Sequence, residues 1–244
     1  ALMALFGLYF YVYNLRQGYP YLYYTLSAIT IIFMIAVPIL TMRSFAEDRK
    51  NKTDQLMLTA PVPVAKVVLG KYLAMLAVFT VDIAVFCVTP LILRAFGTIP
   101  MGENYIAILA FWLYGAASIA VGMFISALTE SQVIAAVLTF VVLFISYMMQ
   151  SLTGLISSDG NWLTKILNCL DLYAPFEKFQ GGCLDITAIL YYVTVIVLFN
   201  FFTVQAIQKR RWSISKKTFS LSVFSSSFIV VVFALAVVAN LAVD

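Results

Sequence analysis

What most limits this chain is a series of long apolar runs separated by short polar ones. A helix needs about 20 such residues to cross the ~30 Å hydrocarbon core of a bilayer. None of the runs alternates polar with apolar residues for long, as the strands of a membrane barrel would. Backbone groups in lipid must find hydrogen bonds within their own segment, so unalternated runs of this length are helices. Composition agrees: 63% of the 244 residues are hydrophobic and 11% charged, against about 45–50% and 25% in soluble domains. The expected fold class is all-α, a polytopic transmembrane bundle of six spans with one extra span at the C-terminus.

The runs fall in order. Ala1 to Tyr13 is apolar but too short to span, and the record is expected to begin inside a first span. The second span is expected over about Tyr21 to Met42, with Pro38 near its end and a belt of tyrosines (Tyr19, Tyr21, Tyr23, Tyr24) at its start. Tyrosine favours the membrane–water boundary. Further spans are expected over about Val67 to Leu93, Tyr105 to Leu128, Val133 to Ser151 and Ile186 to Ile207. Lys209, Arg210, Arg211 and Trp212 close the last of these. A basic linker and a seventh span then occupy 213–244, following a permease domain over 1–212.

Between the second and third spans lies a charged hinge, Met42 to Lys71. It carries Arg43, Glu47, Asp48, Arg49, Lys50, Lys52, Asp54 and Lys66, with an apolar patch at Leu56, Met57 and Leu58. Glu47 to Asn51 reads as a helical continuation of the second span, with Asp48 and Lys52 in the favourable acid-first i,i+4 order. Thr53 is an N-cap for a new short helix. Pro61 and Pro63 end it and hold the residues before them extended. Such a hinge is expected to be either a docking surface for a partner in the adjacent aqueous phase or a solvated loop capping two helices. On its side lie Arg43, Arg49, Lys50, Lys52, Lys66, Lys71, Lys209, Arg210, Arg211, Lys216 and Lys217; the opposite side has Arg16, Arg94, Lys165 and Lys178. The positive-inside rule makes the hinge, 43–66, and the tail, 208–222, cytoplasmic. The net charge of +4 follows from that asymmetry and does not suggest nucleic acid.

The chain has no histidine, which excludes Ser-His triads and histidine-ligated metal. No phosphate-cradling G-x-x-x-x-G-K-[ST] occurs: Gly70-Lys71 has Ala65 and Tyr72 at the flanking positions. The chain thus has no visible means of hydrolysing ATP, and no catalytic residue and no metal site are expected. Asp82 sits near the centre of the third span, where an ionisable group is costly and must face protein or water. It is either a pathway residue or a packing residue. Gly115, Ser118 and Gly122 fall on one face of the fourth span, at a spacing that lets helices approach closely or lines a path. Leu152 to Asp185 is the longest loop, with amphipathic pieces lying at or dipping into the outer surface. Phe176 and Glu177 lie in it, at the mouth of any exit. Cys169 and Cys183 share that loop and could pair or stay free in an oxidising compartment.

Three stretches carry a resemblance. RSFAEDRKNKTDQLMLTAPVPVAKVVLGKYLA is similar to the hinge motif of type 2 ABC-transporter permeases, and most resembles the GldF subgroup named from gliding motility. SALTESQVIAAVLTF resembles that family's turn between the fourth and fifth spans. APFEKFQGGCLDITAILYY resembles its stretch before the sixth. The resemblance covers roughly Leu5 to Trp212. It implies a six-span permease subunit of the bacterial cytoplasmic (inner) membrane, used in pairs with cytoplasmic ABC ATPase subunits. ATP and Mg would be held by those subunits, with no cofactor on this chain. Carried over by position, Glu47, Asp48 and Arg49 match the family's charged cluster. Thr53, Leu56, Leu58, Thr59, Ala60 and Pro61 match its coupling helix and stop. Lys52 stands where glycine is common and Gln55 where glutamate is common. The basic linker and seventh span resemble the start of a GldG-type auxiliary subunit, fused or associated, whose domain lies outside the membrane.

The expected function is therefore an export permease driven by a separate ATPase, with Phe176 and Glu177 near an external gate. A non-transporting scaffold of a secretion or motility machine is the alternative. An intramembrane enzyme is disfavoured, since no second acid partners Asp82. Membrane lipid surrounds the protein in each case, and the substrate is not legible.

Overall fold

The computed structural model describes residues 2–51, 63–97, 99–156, 171–179, 182 and 185–211. Thr53, Leu56, Leu58, Thr59, Pro61, Cys169, Cys183 and the seventh span lie outside the described residues. The elements are α1 (Leu2–Phe10), a π-helical turn (Tyr11–Arg16), α2 (Tyr23–Thr41), α3 (Ala46–Lys50), α4 (Val64–Phe86), α5 (Thr89–Phe96), α6 (Met101–Leu128), α7 (Gln132–Ile156), α8 (Ala174–Lys178) and α9 (Ile186–Arg211). There is no strand among the described residues. Among the described residues, five helical stretches are long and apolar enough to cross a membrane: Tyr23–Lys50, Val64–Phe96, Met101–Leu128, Gln132–Met149 and Ile186–Gln208. The protein is an all-α membrane bundle.

The bundle is built around α6. Its most apolar window is 83% buried, against 28–50% for the other four. It packs against α2, α4, α7 and α9. The cause is the run Gly115-Ala116-Ala117-Ser118, continued by Ala120, Gly122, Ser126 and Ala127. Between helices in lipid there is little hydrophobic drive, so small residues that admit close backbones decide who packs with whom. A Cβ on Gly115 would run into the Phe79 ring and lie 3.0 Å from Phe33 Cζ. A Cβ on Gly122 would lie 2.5 Å from Thr41 Oγ1.

Rings fill the space the small residues leave. Phe33 of α2 sits 5.1 Å from Phe79 of α4 and 5.2 Å from Phe111 of α6, centroid to centroid. At the end of the bundle opposite the hinge, Asn104 (1% exposed) ties two elements. Its Oδ1 accepts from Leu22 N at 2.8 Å, and its Nδ2 donates to Pro20 O at 3.1 Å. Asn14, in the π-helical turn, donates to Tyr19 O at 2.8 Å and accepts from Thr25 Oγ1 at 2.6 Å. These amides satisfy backbone groups that the turn between α1 and α2 would otherwise bury unpaired.

The third span is present over Val64–Phe96 with a break inside it: α4 stops at Phe86 and α5 begins at Thr89. Pro90 has no N–H to give Phe86 O, and the Thr89 hydroxyl donates to that carbonyl instead, at 2.7 Å. One expectation about continuity needs correction: Glu47 to Asn51 does not continue the second span as one helix. α2 ends at Thr41, the chain bends over 42–45, and α3 starts at Ala46. The bend is held from outside: Ser126 Oγ of α6 accepts the N–H groups of Phe45 and Ala46, both at 3.2 Å.

Candidate coupling site

The hinge end gathers its polar groups around Lys71. A lysine about two turns inside an apolar helix needs anionic or carbonyl partners close by. Its Nζ forms an ion pair with Asp48 of α3, donates to Ser44 O at 2.5 Å, and lies 4.5 Å from the Phe45 ring centroid. Arg49 Nη1 donates to Thr129 O at 3.1 Å, at the end of α6. Ser126 completes the frame by donating to Met42 O at 3.3 Å. α3 is thus clamped between α4 and α6 by charge-assisted bonds, which are stronger than neutral ones.

The sequence-assigned cluster divides on this frame. Asp48 and Arg49 face inward and make the clamp, while Glu47 beside them is half-buried. Lys50 is exposed. A polar cleft of about 500 Å³ opens beside α3, lined by Arg49, Lys50, Glu130, Ser131, Gln132 and Val133. It joins the hinge to the α6–α7 turn, so two loops distant in sequence present one surface. Lys71 and Ser126 were not among the assigned residues. The signal for Lys71 was a cation inside an apolar helix; Ser126 had none, because a serine on a small-residue face reads as packing.

A family comparison decides what kind of bundle carries this clamp: the ABC-2 family transporter proteins match it over residues 9–181. The chain belongs to that family. No curated protein and no solved structure matches it. As an ABC-2 permease it is a multi-pass membrane component of an ABC transporter, and the family implies association with an ABC ATPase. The match spans the hinge, the clamp and the segment before α9.

The permease places the remaining assigned residues apart from the hinge. Asp82 is half-buried on α4 and has no hydrogen-bond or ion-pair partner among the described residues. Gly115, Ser118 and Gly122 are buried in α6, where Gly115 and Gly122 meet neighbouring side chains and Ser118 Oγ donates back to Tyr114 O at 2.8 Å. Phe176 is fully buried, 5.4 Å from the Tyr23 ring and 6.3 Å from the Tyr114 and Phe111 rings. Glu177, next to it, is half-buried.

The segment 171–179 dips into the bundle at the end opposite the hinge, a placement set by a residue the sequence reading did not single out. Asp171 is 1% exposed, and its Oδ1 accepts from Tyr173 N at 2.8 Å and Ala174 N at 3.0 Å, opening α8. Ser146 Oγ accepts from Leu172 N at 2.9 Å, and the Tyr192 hydroxyl donates to Leu172 O at 2.8 Å. Burial pushes the Asp171 carboxyl above its ordinary value; the two N–H groups oppose this, and Glu177 adds to it. A raised folded value means that the folded state holds the proton more tightly than the unfolded one. Stability from Asp171 is therefore present at low pH and falls as pH rises from the ordinary carboxylate range through the folded value. Asp171→Asn keeps the acceptor oxygen and removes the charge. Its thermal midpoint is expected to lose this part of the pH dependence; a midpoint that tracks pH as in the wild type would contradict the assignment.

Proposed function

We propose that this ABC-2 permease is the membrane subunit of an exporter, in which hydrolysis of ATP on a separate cytoplasmic subunit is transmitted through the hinge. The observation that carries this is the clamp on α3. A partner pulling on the hinge would pull directly on α4 through Lys71 and on α6 through Ser126 and Thr129. α6 touches four other spanning helices, so a displacement there repacks the bundle between two arrangements rather than deforming one helix. ATP and Mg would sit in the ATPase, and this chain would do no covalent chemistry.

In this reading the permease works as a dimer in the bacterial inner membrane with the hinge and the tail in the cytoplasm. Thr53, Leu56, Leu58, Thr59 and Pro61 would complete the surface the ATPase grips. Phe176 and Glu177 would lie near the outer exit, and Asp82 with the Gly115–Ser118–Gly122 face would border the path. The likeness of the hinge to the GldF subgroup, and of the C-terminal basic linker and span to a GldG-type subunit, supports a role within a GldF/GldG-type complex.

Co-purification with the cognate ATPase tests this. The double variant Glu47→Ala/Leu56→Asp is expected to stay folded in membranes and lose the ATPase. Equal capture by wild type and variant would remove the hinge from the interface. Capture without stimulation of ATP hydrolysis by any transported compound would favour the non-transporting scaffold.

A further inference from the structure

The segment 171–179 is tied to two different parts of the bundle. At its base, Leu172 is held through both backbone groups: its N–H donates to Ser146 Oγ of α7 at 2.9 Å, and its carbonyl accepts from the Tyr192 hydroxyl of α9 at 2.8 Å. α7 and α9 flank the segment in the chain. Beyond the base the partners change. The Tyr173 hydroxyl shares a hydrogen bond of 2.7 Å with Ser27 Oγ of α2, and the Phe176 ring stacks on Tyr23 of α2 at 5.4 Å. Phe176 also meets Phe111 and Tyr114 of α6, so its ring fills the space between α2 and α6 at this end.

α2 is also the helix that runs to the hinge. Ser27 lies fourteen residues before Thr41, about 21 Å at a helical rise of 1.5 Å per residue. Pro38 falls inside the helix, and the bond from Met42 N to Pro38 O at 2.9 Å carries the ladder past it. At that far end Met42 O accepts from Ser126 Oγ, which also holds the bend leading to α3. A shift imposed there reaches Ser27 along one continuous helix. Packed helices shift by about 1–2 Å in switching transitions. An O–H···O bond spans about 2.5–3.0 Å, so parting its oxygens by about 1 Å breaks it. The bonds of Leu172 go to α7 and α9 and contain no α2 atom.

We propose that the Ser27–Tyr173 hydroxyl pair is a latch that holds 171–179 inside the bundle, and that movement of α2 at the hinge releases it, with Leu172 as the pivot. The inference rests on the coupling reading and names how the hinge regulates the opposite end of the permease.

The test is hydrogen exchange on the permease–ATPase complex in phospholipid nanodiscs. It is read at Phe176 and Glu177, whose N–H groups bond Tyr173 O at 2.9 and 3.3 Å. Tyr173→Phe removes the hydroxyl and leaves the ring packed on Tyr147 and Phe176, at 4.8 and 5.6 Å, so the fold is retained. Tyr173→Phe and Ser27→Ala are each expected to speed exchange at these amides about five- to tenfold. The double variant is expected to go no further, because all three lack the same bond. A non-hydrolysable ATP analogue is expected to speed exchange there in the wild type by a similar factor, and to add little in Tyr173→Phe. No acceleration in either single variant, or additive effects in the double, would overturn the latch. If the analogue alters exchange in α3 but not at Phe176 and Glu177, the latch is overturned while the coupling reading stands. If it alters neither, the coupling reading fails and the latch falls with it.

Discussion

Gly115→Leu is expected to be the most damaging single substitution on the described spans. The new side chain would start inside the Phe79 ring and beside Phe33, neither of which can leave. Both rings pack on Phe111, and Phe33 packs also on Tyr114, so moving one displaces the rest of the aromatic core. Overpacking costs about 1–3 kcal/mol in typical cores and occasionally more, a large part of a marginal stability. The expected result is little monodisperse protein after detergent extraction and a strongly lowered thermal midpoint. Gly7→Leu is the control, since a Cβ there meets nothing within 4 Å. Equal behaviour of the two variants would mean that α4 and α6 do not approach closely at Gly115.

Lys71→Met is expected to have the largest effect on coupling while sparing the fold. It keeps the length of an apolar side chain in α4 but removes the ion pair to Asp48, the bond to Ser44 O and the cation over Phe45. Asp48 then loses the Lys71 ammonium, and α3 retains the Ser126 and Arg49 tethers. Charge-assisted bonds of this type contribute about 1.5–3 kcal/mol, enough to shift the hinge by roughly tenfold or more in population. The measurement is ATP hydrolysis by the assembled complex, together with capture of the ATPase. Hydrolysis no longer stimulated by the permease, with the ATPase still captured, is the expected outcome. Unchanged stimulation would show that the Lys71 bridge does not carry force from the hinge to α4. Lys71→Arg retains the charge and should recover part of the stimulation.

Much of the bundle was legible from one property. Apolar runs of spanning length located the cores of α2, α4, α6, α7 and α9, because in lipid the backbone must satisfy itself and the helix is the local way to do so. Breaks were harder to see. Thr89-Pro90 interrupts a run that is apolar on both sides of it, and the interruption comes from a single missing N–H. The bend over 42–45 has no breaker at all. Ser126, some eighty residues away, takes the N–H groups that a continued helix would have used within itself.

At the hinge, the sequence by itself determined which residues are charged, that they lie between two spans, and that Glu47, Asp48 and Arg49 resemble a family motif. It also determined that Gly115, Ser118 and Gly122 share a face, since that follows from helical period alone. Only the tertiary structure decided that Asp48 turns to Lys71, that Arg49 reaches the end of α6, and that Phe176 is swallowed by the aromatic core on a segment capped by Asp171. Local spacing says which side chains share a face. Which partner that face meets depends on how closely two helices approach, and that is set by small residues on a third element.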